Sequence, residues 1–480
     1  MQAARPHDDV VAQMVMAAIK AVHILDTVFL FWVCWMVFRY GFQEYVADDA
    51  FRYNYYVAGA YVVMLLWLCR TYKAYLFGYT RIRDLALAQA LAQALSAVAI
   101  YALVCLAWGR LQAPWPFVAM LAGQFLVDAL WSRFGNWCYF CFNPVRRTVL
   151  VYRSEQDRRR FGSISGKPVE RLYEVVEEVQ YDGDFEGLRE RLDGYDAVFV
   201  AGVNHGCRNG IIKHCKERGI PVLFLPHVGD VIMREALHVT TLDSPVLYVG
   251  RSRLRPEYRI VKRAFDICAS LAGIVLLSPI MAVTAVAIKL YDRGPALYKQ
   301  VRLTKDGREF EIWKFRSMRV DAEADGVARL STGEGDSRIT PVGRFARKCR
   351  LDELPQLFNI LAGDMSVVGP RPERPEIAEQ YYEQIPDFRL RLQVKAGLTG
   401  YAQVYGKYST DPYEKLEFDL LYISEMSALT DLRLMFATLA ILGKAESTEG
   451  VKGVTALEGT ALETAANEFE QVDFIEKARQ

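Results

Sequence analysis

Residues 267–288 read ICASLAGIVLLSPIMAVTAVAI, an uncharged run bounded by Asp266 and Lys289. A helix rises about 1.5 Å per residue, so this run can reach across a hydrocarbon core of roughly 30 Å. Its meaning turns on Ser278-Pro279 at the midpoint. Proline removes a helical amide and crowds the preceding turn, so a break is expected there. A plain crossing carries everything after Lys289 to the far side of the membrane, including the densest acidic and basic motifs of the chain, with no clear return crossing. A broken helix over about 264–290 that enters and leaves by one face keeps those motifs on the near side. The preceding residues, 251–263, hold Arg251, Arg253, Arg255, Arg259, Lys262 and Arg263 against Glu257 alone, which suits an anionic membrane surface. The re-entrant placement is the expectation, and the freed backbone groups at the break then need side-chain or protein partners.

Working upstream, residues 1–145 hold four apolar segments, near Val22–Phe38, Tyr55–Leu68, Leu85–Trp108 and Trp115–Trp131. They predict a four-helix transmembrane bundle. Arg70, Lys73, Arg81 and Arg83 fill the link between segments two and three, and Arg133, Arg146 and Arg147 follow segment four. That bias puts both ends of the bundle in the cytoplasm, with the N-terminus read as a retained cytoplasmic end. Asp26 and Asp128 are intramembrane acids near segment ends, read as structural. Residues 146–250 change texture. Strand-like runs at Thr148–Tyr152, Ala197–Ala201, Val222–Leu225 and Val246–Val249 alternate with helical patterns at Val169–Val179 and Arg208–Arg218, predicting a small Rossmann-like α/β domain with a mainly parallel sheet. No G-x-G-x-x-G follows its first strand, which favours a scaffold or regulatory role over nucleotide binding. Gly202 and Gly206 leave anion binding at a helix start as the lesser reading.

The whole chain has 480 residues, of which 52% are hydrophobic, with 58 Lys plus Arg against 57 Asp plus Glu. A mean hydropathy of +0.06 beside 24% charged residues is the average of membrane stretches and polar domains. The charge balance gives nucleic acid no footprint. Nine Cys form no regular framework, and Cys138-x-x-Cys141 lacks a second pair at zinc-finger spacing. All six His precede residue 239, so the C-terminal half works without imidazole.

Downstream of the broken helix the motifs crowd together. Lys314-Phe315-Arg316-Ser317-Met318 alternates basic and apolar residues. Arg344, Arg347, Lys348 and Arg350 lead into Leu351-Asp352-Glu353-Leu354-Pro355-Gln356-Leu357-Phe358-Asn359. Gly363-Asp364-Met365-Ser366-Val367-Val368-Gly369-Pro370-Arg371-Pro372-Glu373 and Gly397-Leu398-Thr399-Gly400 close the series. Two readings of Asp352-Glu353 stand side by side. In one, surrounding arginines lower the Asp352 pKa and keep it charged as a nucleophile on phosphorus, while Glu353 holds Mg²⁺. In the other, both acids cap a helix and pair with Arg347 and Arg350. Arg371, fixed between prolines, suits bidentate phosphate recognition, and Arg391 and Lys395 are further candidates. Glu373 is a second metal ligand or a salt-bridge partner. Gly397 and Gly400 read as turn residues. Tyr413–Ile423 and Ala428–Leu442 read as helices lying in the membrane interface, against a competing core reading. Arg319–Pro341 is a lid or a surface loop, and 445–480 an acidic tail with little fixed structure.

These motifs, in this order over about residues 259–443, closely resemble the bacterial sugar transferase family of monotopic polyprenyl-phosphate phosphoglycosyl transferases. The bundle and middle domain look like the family's long form. The resemblance implies a catalytic domain over 251–444 at the bacterial cytoplasmic (inner) membrane, with its active site on the cytoplasmic side. It implies transfer of a sugar-1-phosphate from a UDP-sugar to undecaprenyl phosphate with release of UMP, starting exopolysaccharide, capsule or O-antigen synthesis. Asp352 matches the nucleophile of a covalent phosphosugar–enzyme intermediate and Glu353 the Mg²⁺ ligand. Lys314 and Arg316 match a motif near the substrate phosphates. Arg371 and Arg391 look like phosphate contacts, and Ser278 and Pro279 match the helix break; Arg347, Arg350 and Lys395 are candidate phosphate-binding residues from the basic field itself. A homodimer is expected. Rival readings are a metal-dependent lipid-phosphate glycosyltransferase that releases UDP, and a non-enzymatic polysaccharide assembly protein.

Overall fold

The computed structural model describes residues 6–41, 51–164, 171–234, 236–241, 244–250, 256–319, 336, 338–406 and 411–441. Most of the expected 319–341 lid, the tail after 444 and Arg251, Arg253 and Arg255 lie outside the described residues. Packing divides the chain into two compact units, Met1–Leu225 and Pro226–Gln480.

The first unit opens with α1 (Pro6–Gly41), α2 (Phe51–Thr71), α3 (Ile82–Trp108) and α4 (Trp115–Phe142). Helix α3 stops where Gly109 takes φ +65 and its amide reaches the Leu106 carbonyl, a conformation that glycine adopts without Cβ strain. Helix α4 starts with Pro116 in its first turn, where a missing amide costs nothing. Among the described residues four helical stretches are long and apolar enough to cross a membrane: Val11–Phe38, Ile82–Trp108, Trp115–Phe142 and Glu257–Asp292. Helix α2 does not reach that measure.

The bundle has a polar layer that its hydropathy concealed. Asp128 Oδ1 lies 3.0 Å from His23 Nε2 and accepts from Gln93 Nε2 at 2.9 Å, and His23 Nδ1 meets the Tyr75 hydroxyl at 2.8 Å. Asp128 and Asp26 are not at helix ends, because α1 begins well upstream of Val22 and α4 continues past Trp131 to Phe142. Asp128 instead sits mid-helix and is fully buried, so its pairing is what makes the position tolerable in an apolar bundle. The partners fit the structural reading of Asp128.

Next come β1 (Arg146–Tyr152), α5 (Glu155–Ile164), β2 (Tyr173–Gln180), α6 (Phe185–Leu192), β3 (Ala197–Ala201), α7 (His205–Arg218) and β4 (Val222–Phe224). The strands form one parallel sheet in the order β2-β1-β3-β4. The helix expected over Val169–Val179 is an error, since residues 173–180 are the edge strand β2. Its outward glutamates broke the period-2 signal, and the β-branched valines won. Gly202, with φ +65, makes room for a neighbouring carboxylate. A Cβ there would lie 2.1 Å from an oxygen of Asp157, a carboxylate that accepts from the Ser154 amide and hydroxyl.

The second unit begins earlier than residue 250. In α8 (Val228–Met233), Val228 and Val231 are buried in its core. A hairpin of β5 (Leu237–Thr241) and β6 (Ser244–Tyr248) follows, so Val246–Val249 does not extend the parallel sheet. Helix α9 (Pro256–Asp292) keeps helical backbone on both sides of Pro279, which lies inside it, the position at which a proline bends a helix. Without its amide, Pro279 leaves the Val275 carbonyl short of its helical donor, and the Ser278 hydroxyl donates to that oxygen at 2.9 Å. The Ser278 hydroxyl thus supplies the side-chain partner that the carbonyl freed by Pro279 needs.

The rest of the unit comprises the antiparallel pair β7 (Leu297–Leu303) and β8 (Glu309–Phe315), α10 (Pro341–Lys348), α11 (Gln356–Ala362), β9 (Ser366–Val368), α12 (Pro375–Gln384), β10 (Gly397–Thr399), α13 (Tyr401–Tyr405), α14 (Pro412–Ser424) and α15 (Ala428–Ile441). Strands β9 and β10 pair in parallel, and a Cβ on Gly397 would sit 2.1 Å from the Gly369 amide nitrogen. Gly397 is therefore a close-approach glycine between two backbones, not a turn residue. Helix α14 corrects the interfacial expectation for Tyr413–Ile423. Leu416, Leu420, Tyr422 and Ile423 are buried with Ile360, Met365 and Phe388 in the main core, and Asp419, which suggested a wet face, is buried too.

Candidate active site

Thr340 caps α10 by accepting from the Gly343 amide at 2.9 Å, with Pro341 in the first turn. The helix is followed by Arg350 in the left-handed region, φ +57, which for a non-glycine residue must be held by its surroundings. That reversal starts a 3₁₀ turn, Leu351–Glu353, carrying both acids inward. Helix α11 locks the turn to β8 through one side chain. Asn359 Oδ1 accepts from the Trp313 amide at 2.9 Å and its Nδ2 donates to the Glu311 carbonyl at 2.7 Å. The next residue on that strand is Lys314.

Glu353 is the electrostatic hub. Its Oε1 lies 2.8 Å from Arg371 Nη2 and 3.6 Å from Lys314 Nζ, and its Oε2 lies 3.6 Å from Arg350 Nη1. Burial pushes its carboxyl up, but the three cations outweigh burial and hold it well below the usual carboxylate range. Asp352, 9% exposed, behaves in the opposite way. Burial and then the adjacent Glu353 charge push it up to about 6, against the pull of Lys314, Arg347 and Arg350. The expectation that its arginines lower the Asp352 pKa is therefore reversed, because burial and then the Glu353 charge push harder than Lys314, Arg347 and Arg350 pull. Among the described residues no hydrogen bond or ion pair engages the Asp352 carboxylate. Burial brings the Lys314 ammonium down to about 8.

The remaining predicted residues divide. Lys314, Arg347, Arg350 and Arg371 gather at the dyad. Arg316 is buried and paired with Asp292 at the end of α9. Arg391, 4% exposed, is committed to Asp419, so it has no face for a substrate phosphate. Lys395 is under the influence of Arg263, Asp266, Arg308 and Asp364, away from the dyad. Glu373 lies 3.6 Å from Arg391 and takes its salt-bridge reading. Arg302, Asn359 and Asp419 shape the site but were not singled out in the sequence, since only the fold brings them under it.

Among the described residues no three acidic, imidazole or thiol groups gather at one point. A Mg²⁺ ion needs only one or two carboxylates when substrate phosphates complete its shell. The unengaged Asp352 oxygens beside Glu353 fit that donor set.

A family profile described as "Bacterial sugar transferase" matches residues 257–445. The chain is 41% identical over 234 residues to the UDP-glucose:undecaprenyl-phosphate glucose-1-phosphate transferase of Klebsiella pneumoniae, covering 48% of this chain and 50% of that protein. It is 43% identical over 235 residues to the UDP-N-acetylgalactosamine-undecaprenyl-phosphate N-acetylgalactosaminephosphotransferase of Aeromonas hydrophila, covering 48% and 53%. The match thus spans about half the length of these relatives. With the exopolysaccharide production protein PSS of Rhizobium leguminosarum bv. phaseoli, the identity is 40% over 189 residues, covering 38% of this chain and 94% of that shorter protein. The profile begins one residue into α9 and closes just past α15, so it takes in the dyad, its cations and the long apolar helix together, and the chain belongs to the bacterial sugar transferase family.

Proposed function

We propose that this chain transfers a sugar-1-phosphate from a UDP-sugar to undecaprenyl phosphate. The observation that carries the reading is the Asp352 carboxylate, buried and, among the described residues, in no hydrogen bond or ion pair, beside a Glu353 held by three cations. A carboxylate that no partner holds is available to attack. An Asp352 oxygen attacks the phosphorus that carries the sugar, and the bond from that phosphorus to the bridging oxygen breaks, releasing UMP. A phosphate oxygen of undecaprenyl phosphate then attacks the same phosphorus, and the Asp352 carboxylate leaves. Arg371 and Lys314 face the charge that the phosphates bring. Glu353, with Asp352 beside it, would hold Mg²⁺, which when bound neutralises diphosphate charge. At neutral pH an Asp352 pKa of about 6 leaves the nucleophile ionised while keeping it more basic than a solvated aspartate. The relatives' names, which include both a glucose and an N-acetylgalactosamine donor, leave the sugar open.

In this reading α9 dips into the cytoplasmic face of the inner membrane and returns. Both of its ends are tied to the same unit. Near the start, Lys262 pairs with Asp431 at 2.7 Å, Arg263 donates to the Ile360 and Leu361 carbonyls at 2.7 and 2.9 Å, and Asp266 accepts from the Val367 amide at 3.0 Å. At the other end Asp292 holds Arg316. A helix that spanned the bilayer would have roughly 30 Å of hydrocarbon between its ends, which a domain on one side cannot bridge. Leu276 and Val283, 75% and 70% exposed, supply the lipid-facing surface.

Purified full-length protein with undecaprenyl phosphate, Mg²⁺ and a panel of UDP-sugars is expected to release UMP with one or a few donors. Release of UDP instead supports the glycosyltransferase alternative, and no turnover with any donor supports the assembly protein. In a cysteine-free background, Ile260→Cys and Leu290→Cys should both react with an impermeant maleimide in inverted vesicles and neither in spheroplasts. Labelling of the two on opposite sides means a full crossing.

A further inference from the structure

The Pro370-Arg371-Pro372 turn carries the guanidinium that meets Glu353, and every one of its carbonyls is held. The Gly397 amide donates to the Pro370 carbonyl at 2.8 Å. Arg391 Nη2 donates to the Arg371 carbonyl at 2.8 Å, and Arg302 Nη1 donates to the Pro372 carbonyl at 3.3 Å. Arg391 is held in turn by Asp419, with Nε and Nη2 at 2.8 and 2.7 Å from Oδ2. The two side chains are 4% and 1% exposed. A buried ion pair gains little stability over apolar side chains of similar volume, because desolvation offsets the attraction. Its planar fork nevertheless fixes geometry, since one guanidinium serves a carboxylate on α14 and a carbonyl of the site together.

We propose that Arg391, set by Asp419, is a positioning residue, acting through the Arg371 carbonyl to hold the Arg371 guanidinium at Glu353 and the incoming diphosphate. This rests on the transferase reading above. Arg391 touches no substrate, and its whole effect on turnover passes through Arg371.

The test separates positioning from simple support of the fold. Arg391→Ala strands the Asp419 charge and is expected to destabilise the protein, so the informative variant pairs Arg391→Met with Asp419→Leu. That pair removes the Arg391 and Asp419 charges together, and Glu373, which also meets Arg391, keeps the influence of Lys415, Arg302 and Arg371, so the melting temperature should stay within a few degrees of wild type. Its kcat should still fall about 10- to 100-fold, the size of effect that a small misplacement in a site produces. Adding Arg371→Ala to it should cost under about 3-fold more, although Arg371→Ala alone is expensive. A neutral pair with wild-type kcat, or an Arg371→Ala effect that multiplies in full on that background, overturns the proposal. If the neutral pair does not fold, Arg391→Lys carries the same cycle, keeping the charge at Asp419 and giving up the fork. A wild-type chain that releases no UMP counts against the transferase reading alone. The cycle is then read from UDP affinity by calorimetry, where additive losses overturn positioning and non-additive losses uphold it.

Discussion

Asp352→Asn should abolish turnover and, at neutral pH, raise the melting temperature. The first half follows from the role, since an amide is a far poorer nucleophile on phosphorus than a carboxylate. Removal of an essential nucleophile elsewhere costs roughly four to six orders of magnitude in kcat. The covalent phosphosugar adduct should vanish with it, as read by intact mass after incubation with UDP-sugar alone. The second half follows from electrostatics. Burial and the adjacent Glu353 charge raise the Asp352 pKa from 3.8 to about 6, so the native state disfavours this charge relative to the unfolded chain. A raised carboxyl pKa gives stability that is fully present below the unfolded value and lost as pH rises through the folded value. Wild type and variant should therefore melt alike near pH 4 in metal-free buffer. The variant should gain on wild type between about pH 4 and 6 and keep a lead of about 1–3 kcal/mol above that. A variant that melts below wild type at pH 8 would mean that Asp352 is a structural partner of Arg347 and Arg350, the helix-cap alternative.

The sequence made the site legible as a set of residue types and left their mutual claims hidden. Asp352 and Glu353 are neighbours in the same basic field, so they read as equivalent until the 3₁₀ turn aims one at Arg371, Lys314 and Arg350 and leaves the other with no hydrogen bond or ion pair among the described residues. Arg391 and Lys395 read as phosphate contacts because an unplaced basic residue near a motif has no other assignment. Asp419, the partner that claims Arg391, lies in a segment whose charges suggested a membrane interface. The same limit acts in the bundle. Hydropathy found the apolar segments but placed their ends by charge, which made Asp128 terminal, whereas the helix bounds put it at mid-span with His23 and Gln93. The parallel sheet came through at three of its four strands because β1 and β3 are continuous apolar runs, buried on both faces. The edge strand β2 mixes valine and glutamate and gave a helical reading.

Glu353→Gln should lower both activity and stability, opposite in stability to the change one residue earlier. The amide keeps the volume but removes the charge that faces Arg371 at 2.8 Å and Lys314 and Arg350 at 3.6 Å. Removing one member of a buried charge cluster costs about 3–5 kcal/mol when the partners cannot reach water. Arg371 is 40% exposed on its side chain, which reduces the loss to about 2–4 kcal/mol, read as a fall in melting temperature. The released cations have one carboxylate left to turn to. Asp352 loses its nearest like charge and gains Lys314 and Arg350 as partners, so its pKa should fall back toward the ordinary carboxylate range. The nucleophile is then more fully ionised and less reactive, since ion pairs occupy the lone pairs that must reach phosphorus. Turnover should drop about 100- to 1,000-fold even at pH 8, where Asp352 is charged in both proteins. Two adjacent acids whose neutral variants move the melting temperature in opposite directions are the expected signature of a nucleophile that its neighbour keeps free. If both variants destabilise to a similar degree, the two carboxylates share the cations and the division of labour between them is wrong.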